Sequence, residues 1–328
     1  MNLARRIGLG IVLVSILSMG YCFYGGAVTW EGGIDKPQEE WYVGVTLHEF
    51  KHAFWAAELQ GALDAGKKYN FKVEVRDAEG DAAKQIAILE DFITKGADLI
   101  VVAPTHTEAL VSAVRKANAA GIPVITLNRT VGEGAEVVTY VGADDFLGGR
   151  FQGELIAEVL GGKGNIILLQ GNLGSSPQVL REGGLEEVLA GYPEIEIVAK
   201  YPCDWDRGKA LAATQDALVR FPKGKIHAIV SQDSEMNMTA LQAVKAAGRT
   251  ELIGKIVCFD YPSYVKENIV NGNFYGTVLQ DPYQQAMICM DTVWLYLSGH
   301  AGHIPRPVFF TPLPKITKDN ADLYPPSW

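Results

Sequence analysis

The chain is short of basic residues. Its 29 lysines and arginines are outnumbered by 38 aspartates and glutamates, a formal net charge of -9 over 328 residues. A nucleic-acid partner requires a basic surface, so no nucleic-acid role is expected. Cysteine is scarce as well. After Cys22 only Cys203, Cys258 and Cys289 follow. Their spacing fits no zinc pattern, and an odd number cannot all pair internally. Cys258 in an apolar run and Cys289 in a helical one read as buried thiols. No Gly-x-Ser-x-Gly elbow occurs, which removes support for serine-hydrolase chemistry. The glycine-containing stretch at residues 171–176, Gly-Asn-Leu-Gly-Ser-Ser, lacks both the Gly-Lys-Ser/Thr ending of a P-loop and the three-glycine dinucleotide fingerprint. It still leaves a phosphorylated ligand at a helix N-terminus open. No catalytic residue, resident metal or cofactor is expected.

At the amino terminus Arg5 and Arg6 precede an apolar run over residues 7–19, and no charge recurs until Glu31. A basic segment, an apolar stretch and then small residues (Gly25, Gly26, Ala27) form the pattern of a secretory signal. The uncharged span is also long enough to serve as an uncleaved anchor. Lipidation at Cys22 is disfavoured by the bulky Tyr21 before it. Each outcome places the remainder outside the cytoplasm, in the periplasm or on the outer face of the cytoplasmic membrane. About 300 residues then remain, which suits two domains better than one. With 48% hydrophobic and 20% charged residues, a full core can be buried.

From Trp41 onward, strand-like runs alternate with amphipathic helices. Strands are predicted over residues 42–47, 71–76, 99–103 and 123–127, and again over 166–170, 195–200, 228–231 and 256–259, each short and apolar. Ile86, Leu89 and Ile93 share a helix face within residues 81–95, and Gly121 stops a helix before Pro123. The two halves repeat one pattern. Residues 98–128 and 227–260 each hold a strand, a helix with paired Ala-Leu and Ala-Val, a glycine stop and a second strand. Residues 61–75 likewise resemble 184–198. The fold class expected is α/β: two similar Rossmann-like lobes, each a parallel sheet flanked by helices.

In such sheets ligands bind beyond the carboxyl ends of the strands. That rule selects residues 48–55, 128–129, 170–181, 203–206, 232–234, Asp260 and Gln280. Amides there (Asn128, Gln232, Gln280) donate and accept, carboxylates (Asp233, Asp260) accept in pairs, and guanidinium groups (Arg129, Arg181) donate in forks. Phe54, Trp55 and Trp205 add apolar plates. Polar groups at the edge and rings on the faces suit a carbohydrate, whose hydroxyls both donate and accept.

Six stretches in this order resemble the type I periplasmic binding proteins of ABC sugar importers, in the ribose- and galactose-binding branch. They are Ile-Pro-Val-Ile-Thr-Leu-Asn-Arg at 122–129, Val-Gly-Ala-Asp-Asp-Phe-Leu-Gly-Gly at 141–149, Leu-Gln-Gly at 169–171 with Arg181 downstream, Cys-Asp-Trp-Asp-Arg at 203–207, Ser-Gln-Asp-Ser-Glu-Met at 231–236 and Phe-Asp at 259–260. The resemblance implies a clamshell of two lobes, residues 41–143 with 281–310 and residues 144–280 with 311–328. They would be joined by a three-crossover hinge, with crossovers near Ala143, Asp260 and residues 280–282. It implies that Asn128, Arg129, Arg181, Asp233, Asp260 and Gln280 hydrogen-bond a ligand sandwiched by Phe54 and Trp205. The partners implied are a small sugar or polyol and the membrane permease subunits of an ABC importer, with the binding protein a monomer. His48, Glu49 and His52 depart from the family's first loop, where ribose binders carry Ser and Asn. Asn128 stands where ribose binders have Asp, and Pro177 and Gln178 replace small or polar residues. His48, His52 and Trp55 join the expected contact set.

His-Glu-Phe-Lys-His at 48–52 also satisfies the H-E-x-x-H pattern of zinc peptidases, which places both histidines on one face of a helix. Here the stretch directly follows a strand, and a third ligand is hard to nominate because Glu74 lies within another. A sugar-responsive repressor would need a helix-turn-helix where the export segment stands. A ligand-sensing partner of a receptor kinase would have the same binding body.

Overall fold

The computed structural model describes residues 32–310 and 312–328. The segment at 1–27 expected to be a signal peptide or membrane anchor, with Cys22, lies outside the described residues. Among the described residues, no helix is long and apolar enough to cross a membrane.

Strands and helices alternate as β1 Tyr42–Leu47, α1 Ala53–Tyr69, β2 Lys72–Asp77, α2 Ala82–Thr94, β3 Leu99–Val102, α3 Val111–Ala119, β4 Val124–Leu127 and β5 Tyr140–Gly142. They continue as α4 Asp145–Leu160, β6 Gly164–Gln170, α5 Ser176–Leu189, β7 Ile195–Pro202, α6 Arg207–Arg220, β8 Ala228–Ser231, α7 Ser234–Ala246, β9 Ile256–Val257, α8 Ser263–Val270 and β10 Gly276–Val278. α9 Pro282–Leu297, β11 Val308–Phe309 and β12 Lys315–Thr317 complete the set. They build two six-stranded sheets, ordered β11-β5-β4-β3-β1-β2 and β12-β10-β9-β8-β6-β7. The orders coincide when β1 is matched with β6, β2 with β7 and so on, which is the internal repeat seen in the sequence. All pairings are parallel except β10 with β12.

Both faces of each sheet are covered, which is why the central strands read as unbroken apolar runs. In the first lobe, Val43, Val45 and Leu47 pack with Phe54 of α1 and Val293 of α9. Ile100, Val102 and Val124 face the other way, against Leu89 and Phe92 of α2 and Val114 of α3. In the second lobe Ile166 and Leu168 meet Leu155 of α4 and Leu185 of α5. Ile167 and Leu169 meet Ala210 of α6, Val244 of α7 and Val265 of α8.

The chain passes from the first sheet to the second lobe between β5 and α4, returns between β10 and α9, and passes over again between β11 and β12. The crossover expected near Asp260 is not one. β9 before it and β10 after it lie in the same sheet, and α8 between them buries Val265 and Ile269 in the second core. The third passage lies between β11 and β12 instead, in keeping with the expected lobe bound at residue 310.

Helices α4 and α5 approach through glycine. A Cβ on Gly149 would fall on the backbone oxygen of Arg181, and one on Gly184 would fall on that of Phe146. This contact sets how close the Arg181 helix lies to the start of α4. We predict that Gly149→Ala lowers stability by about 2–3 kcal/mol, because backbone cannot step aside as a flexible side chain can. Urea unfolding checks it, and a midpoint equal to wild type would show that the helices are not in tight contact.

Candidate functional site

The carboxyl ends of the two sheets face each other. Between them lies a cavity of about 400 Å³, part of it continuous with solvent, lined by Glu49, His52, Phe54, Trp55, Asn128, Arg129, Pro177, Arg181, Trp205, Asp233, Asp260 and Gln280. Of the residues expected to form a site, the structure brings ten to this wall. The eleventh, His48, stands behind it, with Nδ1 3.3 Å from Arg129 Nη1 and its ring 5.6 Å from that of Trp55. Burial, then the charges of Arg129 and His52, push His48 down to about 2, so it is a neutral imidazole that accepts from Arg129.

Residues 48–52 are not helical. α1 begins at Ala53, and His52 is its N-cap, its Nδ1 accepting from Phe54 N at 3.3 Å. The two histidines therefore do not share a helix face, and the zinc-peptidase geometry is not formed. Glu74 is engaged elsewhere, with Tyr42 and Lys95. Among the described residues no group of three His, Cys, Asp or Glu could hold a metal. Cys203, Cys258 and Cys289 are free and buried.

The strand ends are built alike in the two lobes. Asn128 follows β4 with φ 60°, and Asp260 follows the equivalent β9 with φ 72°. Asn and Asp tolerate this left-handed region best among residues with a Cβ. The turn aims both side chains at the hinge, where they join one chain of hydrogen bonds. Asn128 Nδ2 donates to Gln285 Oε1 at 3.2 Å, Gln285 Nε2 to Gln280 Oε1 at 2.9 Å, and Gln280 Nε2 to Asp260 Oδ1 at 2.7 Å. Ser234 N donates to Asp260 Oδ2 at 3.3 Å. Burial raises the Asp260 pKa, against the pull of Arg181.

The two guanidinium groups are held differently. Arg181 Nε donates to Asp145 Oδ1 at 2.8 Å and Nη1 to Gln232 O at 2.5 Å, and its plane lies 3.6 Å over the Phe259 ring. Removing one partner of such a buried pair costs about 3–5 kcal/mol. Arg129 sits over Trp55 at 5.1 Å and bonds only weakly to Pro104 O, at 3.5 Å. Burial and the neighbouring Arg181 push it down to about 10, still a cation at neutral pH. Trp205, at φ 61°, is a bulky residue in left-handed backbone, a conformation worth about 1–3 kcal/mol of strain. Its ring packs over Gly171, where no Cβ would fit.

Four buried polar atoms on residues of this wall have no hydrogen-bond partner: His52 Nε2, Arg129 Nε, Trp205 Nε1 and Asp233 Oδ2. Three belong to donors and one to an acceptor. Asp233 spends its other oxygen capping α7, on Met236 N at 2.8 Å. His52 Nε2 lies 3.5 Å from Asp233 Oδ2 and 3.6 Å from Glu235 Oε1, near enough for charge attraction between the lobes but too long for a good hydrogen bond. Burial works against a charge on His52, but Asp233 and then Glu235 outweigh it and raise the imidazole to about 9. Thr130 N also reaches across the cleft, donating to Ser176 Oγ at 2.9 Å.

Several groups that shape the site were not selected from the sequence. Asp145 orients Arg181, Gln285 carries the hinge chain, and Glu235 faces His52. Glu49 and Pro177, which fall within the strand-end stretches 48–55 and 170–181 but were not singled out as contacts, line the wall. The Asp-Asp pair at 144–145 and Gln285, one turn into the helix after Gln280, were the available signals.

A periplasmic binding protein domain matches residues 43–301. The xylitol-binding protein of Mycolicibacterium smegmatis is 30% identical over 323 residues, 98% of this chain and 88% of its own. The ribose import binding protein of Escherichia coli is 30% identical over 266 residues, 81% of this chain and 88% of its own. Among solved structures, the Caulobacter myo-inositol binding protein bound to myo-inositol superposes with a TM-score of 0.80 at 27% identity, covering 89% of this chain and 98% of that one. Two repeated parallel-sheet lobes, three passages between them and a cavity at their facing strand ends fit this match throughout. The chain is a type I periplasmic binding protein of the ribose-binding branch.

Proposed function

We propose that the protein captures a small sugar or polyol between its lobes outside the cytoplasm and delivers it to the membrane subunits of an ABC importer. The observation that carries this reading is the set of four buried atoms without a hydrogen-bond partner on residues that line the cavity. Arg129 Nε and Trp205 Nε1 each cost about 1–3 kcal/mol while unsatisfied, and His52 Nε2 and Asp233 Oδ2 are only partly compensated by each other at 3.5 Å. Hydroxyl groups donate and accept at once, so one polyhydroxylated molecule serves His52, Arg129, Trp205 and Asp233 together. Asn128, Arg181, Asp260 and Gln280 supply further contacts, and Phe54, Trp55 and Trp205 cover apolar C–H faces. The named relatives bind xylitol and ribose, which supports importer delivery over a receptor-kinase partner.

In this reading residues 41–143 with 281–310 and residues 144–280 with 311–328 move as two bodies, and ligand shifts the population towards the closed form. The protein acts as a monomer, without catalysis, and is exported by its amino-terminal segment.

A thermal-shift screen of residues 38–328 against pentoses, hexoses, polyols and sugar phosphates tests the proposal. A ligand at a hundredfold excess over its Kd adds about 2.7 kcal/mol of stability. One or a few sugars or polyols are expected to raise Tm. A shift from none of them, with a large one from zinc alone, would overturn the reading.

Binding is also expected to depend on pH. With the lobes apart, His52 leaves Asp233 and Glu235 and returns toward its ordinary value of 6.5; with them together it stands at about 9. Closure therefore takes up a proton. Protonation gives up the long cap bond to Phe54 N, a small loss against two carboxylates. The contribution is complete below pH 6.5 and is lost as pH rises through 9. Affinity is expected to fall by about fiftyfold between pH 7 and pH 9.5, and His52→Asn should flatten the profile. Equal profiles for the two proteins would contradict the assignment.

A further inference from the structure

The carboxyl-terminal stretch after β12 is fastened to the second lobe. Tyr261 Oη donates to Ala321 O at 2.8 Å, Ser327 N donates to Tyr261 O at 2.8 Å, and Ser263 N donates to Trp328 O at 3.0 Å. Lys266 Nζ donates to Tyr324 O at 3.2 Å, and Tyr324 packs into the second core. Pro325 and Pro326 stiffen the approach to the final residues of the stretch. Its indole, however, belongs to the other side of the cleft. The Trp328 ring meets Phe54 edge-to-face, with centroids 5.8 Å apart at 88°, and packs on the first-lobe core. Phe54 is 6% exposed and lines the cavity, whereas Trp328 does not. Phe54 is thus backed by a ring from the opposite lobe, outside the ligand space.

We propose that Trp328 is a positioning residue for sugar binding. It is carried by the second lobe, locks onto Phe54 of the first lobe when the cleft is closed, and so holds the ligand-facing ring in place and slows release. The contact can exist only while the lobes are together, since its two halves are fastened to different lobes. Opening separates the rings and returns apolar surface of both to water, so removing one ring destabilises the closed state alone. Approach of a sugar to the open cleft does not involve the contact, so its effect lies in the rate of release.

This inference rests on the sugar-binding reading. Its test uses whichever of xylitol, D-ribose and myo-inositol binds the wild-type protein, followed by stopped-flow tryptophan fluorescence. Trp328→Ala is expected to weaken binding about tenfold through faster release, with the association rate and the sugar-free Tm little changed. Trp328→Phe should restore most of the affinity. In a Phe54→Leu background, Trp328→Ala should cost less than threefold, because the partner ring is already gone. Affinity within twofold of wild type, or the same loss in both backgrounds, would overturn the proposal while leaving sugar binding intact. A lowered sugar-free Tm with an unchanged release rate would overturn it too, assigning the stretch to folding of the second lobe. If none of the three sugars, nor any in the wider screen, binds the wild-type protein, the sugar-binding reading fails and takes this inference with it.

Discussion

The site depends first on the line of buried amide and carboxylate groups that runs through the hinge. Asn128, Gln285, Gln280 and Asp260 are each within 4% of full burial, and each finds its partner in the next. A buried polar group left unpaired costs more than its bond contributes, so these four side chains have little choice of orientation. The left-handed turns at Asn128 and Asp260 follow from it, since those turns point the side chains inward from the two sheets. The same chain joins the end of β4 and the start of α9 to the end of β9. The geometry of the cleft is therefore fixed at its hinge by hydrogen bonds, while its mouth is held by longer, weaker contacts such as His52 with Asp233.

Charge is distributed to match. Arg181 is held through Nε by Asp145, through Nη1 by a backbone carbonyl and by the face of Phe259, and serves as a rigid part of the wall. Arg129 has looser ties, to His48 and Pro104, and rests on Trp55. His48 helps only because burial keeps it neutral; as an imidazolium it would repel the guanidinium it now accepts from. The residues that make the first loop resemble a zinc motif thus supply one histidine behind Arg129 and one cap that faces the opposite lobe.

Much of this was legible in the sequence. Two repeats of strand, helix and glycine stop announce two sheets, because strands buried on both faces carry no alternation and helices between them do. The strand-end rule then selects the cavity residues with no help from geometry. What it could not supply is anything decided by contact between distant segments. β5, β10, β11 and β12 have two or three residues each, too few to show a period. The lobe bounds at residue 310 imply a passage there, and the crossover that the resemblance places near Asp260 is the one the topology removes. Asp145 follows β5, a strand too short to be read from the sequence, and Gln285 and Trp328 lie on no strand end. Asp145 opens α4 and holds Arg181 of α5, Gln285 lies in the first turns of α9 and bridges Asn128 to Gln280, and Trp328 is close to Phe54 only in three dimensions.

The hinge carboxylate of Asp260 is part of the scaffold and, in the proposed function, of the ligand site as well. Calorimetric titration of wild type and Asp260→Ala with the sugar or polyol that binds wild type addresses this double role most directly. The variant is expected to fold, with a cooperative unfolding transition, and to show no detectable heat of binding. Wild-type affinity in a folded Asp260→Ala protein would contradict that role.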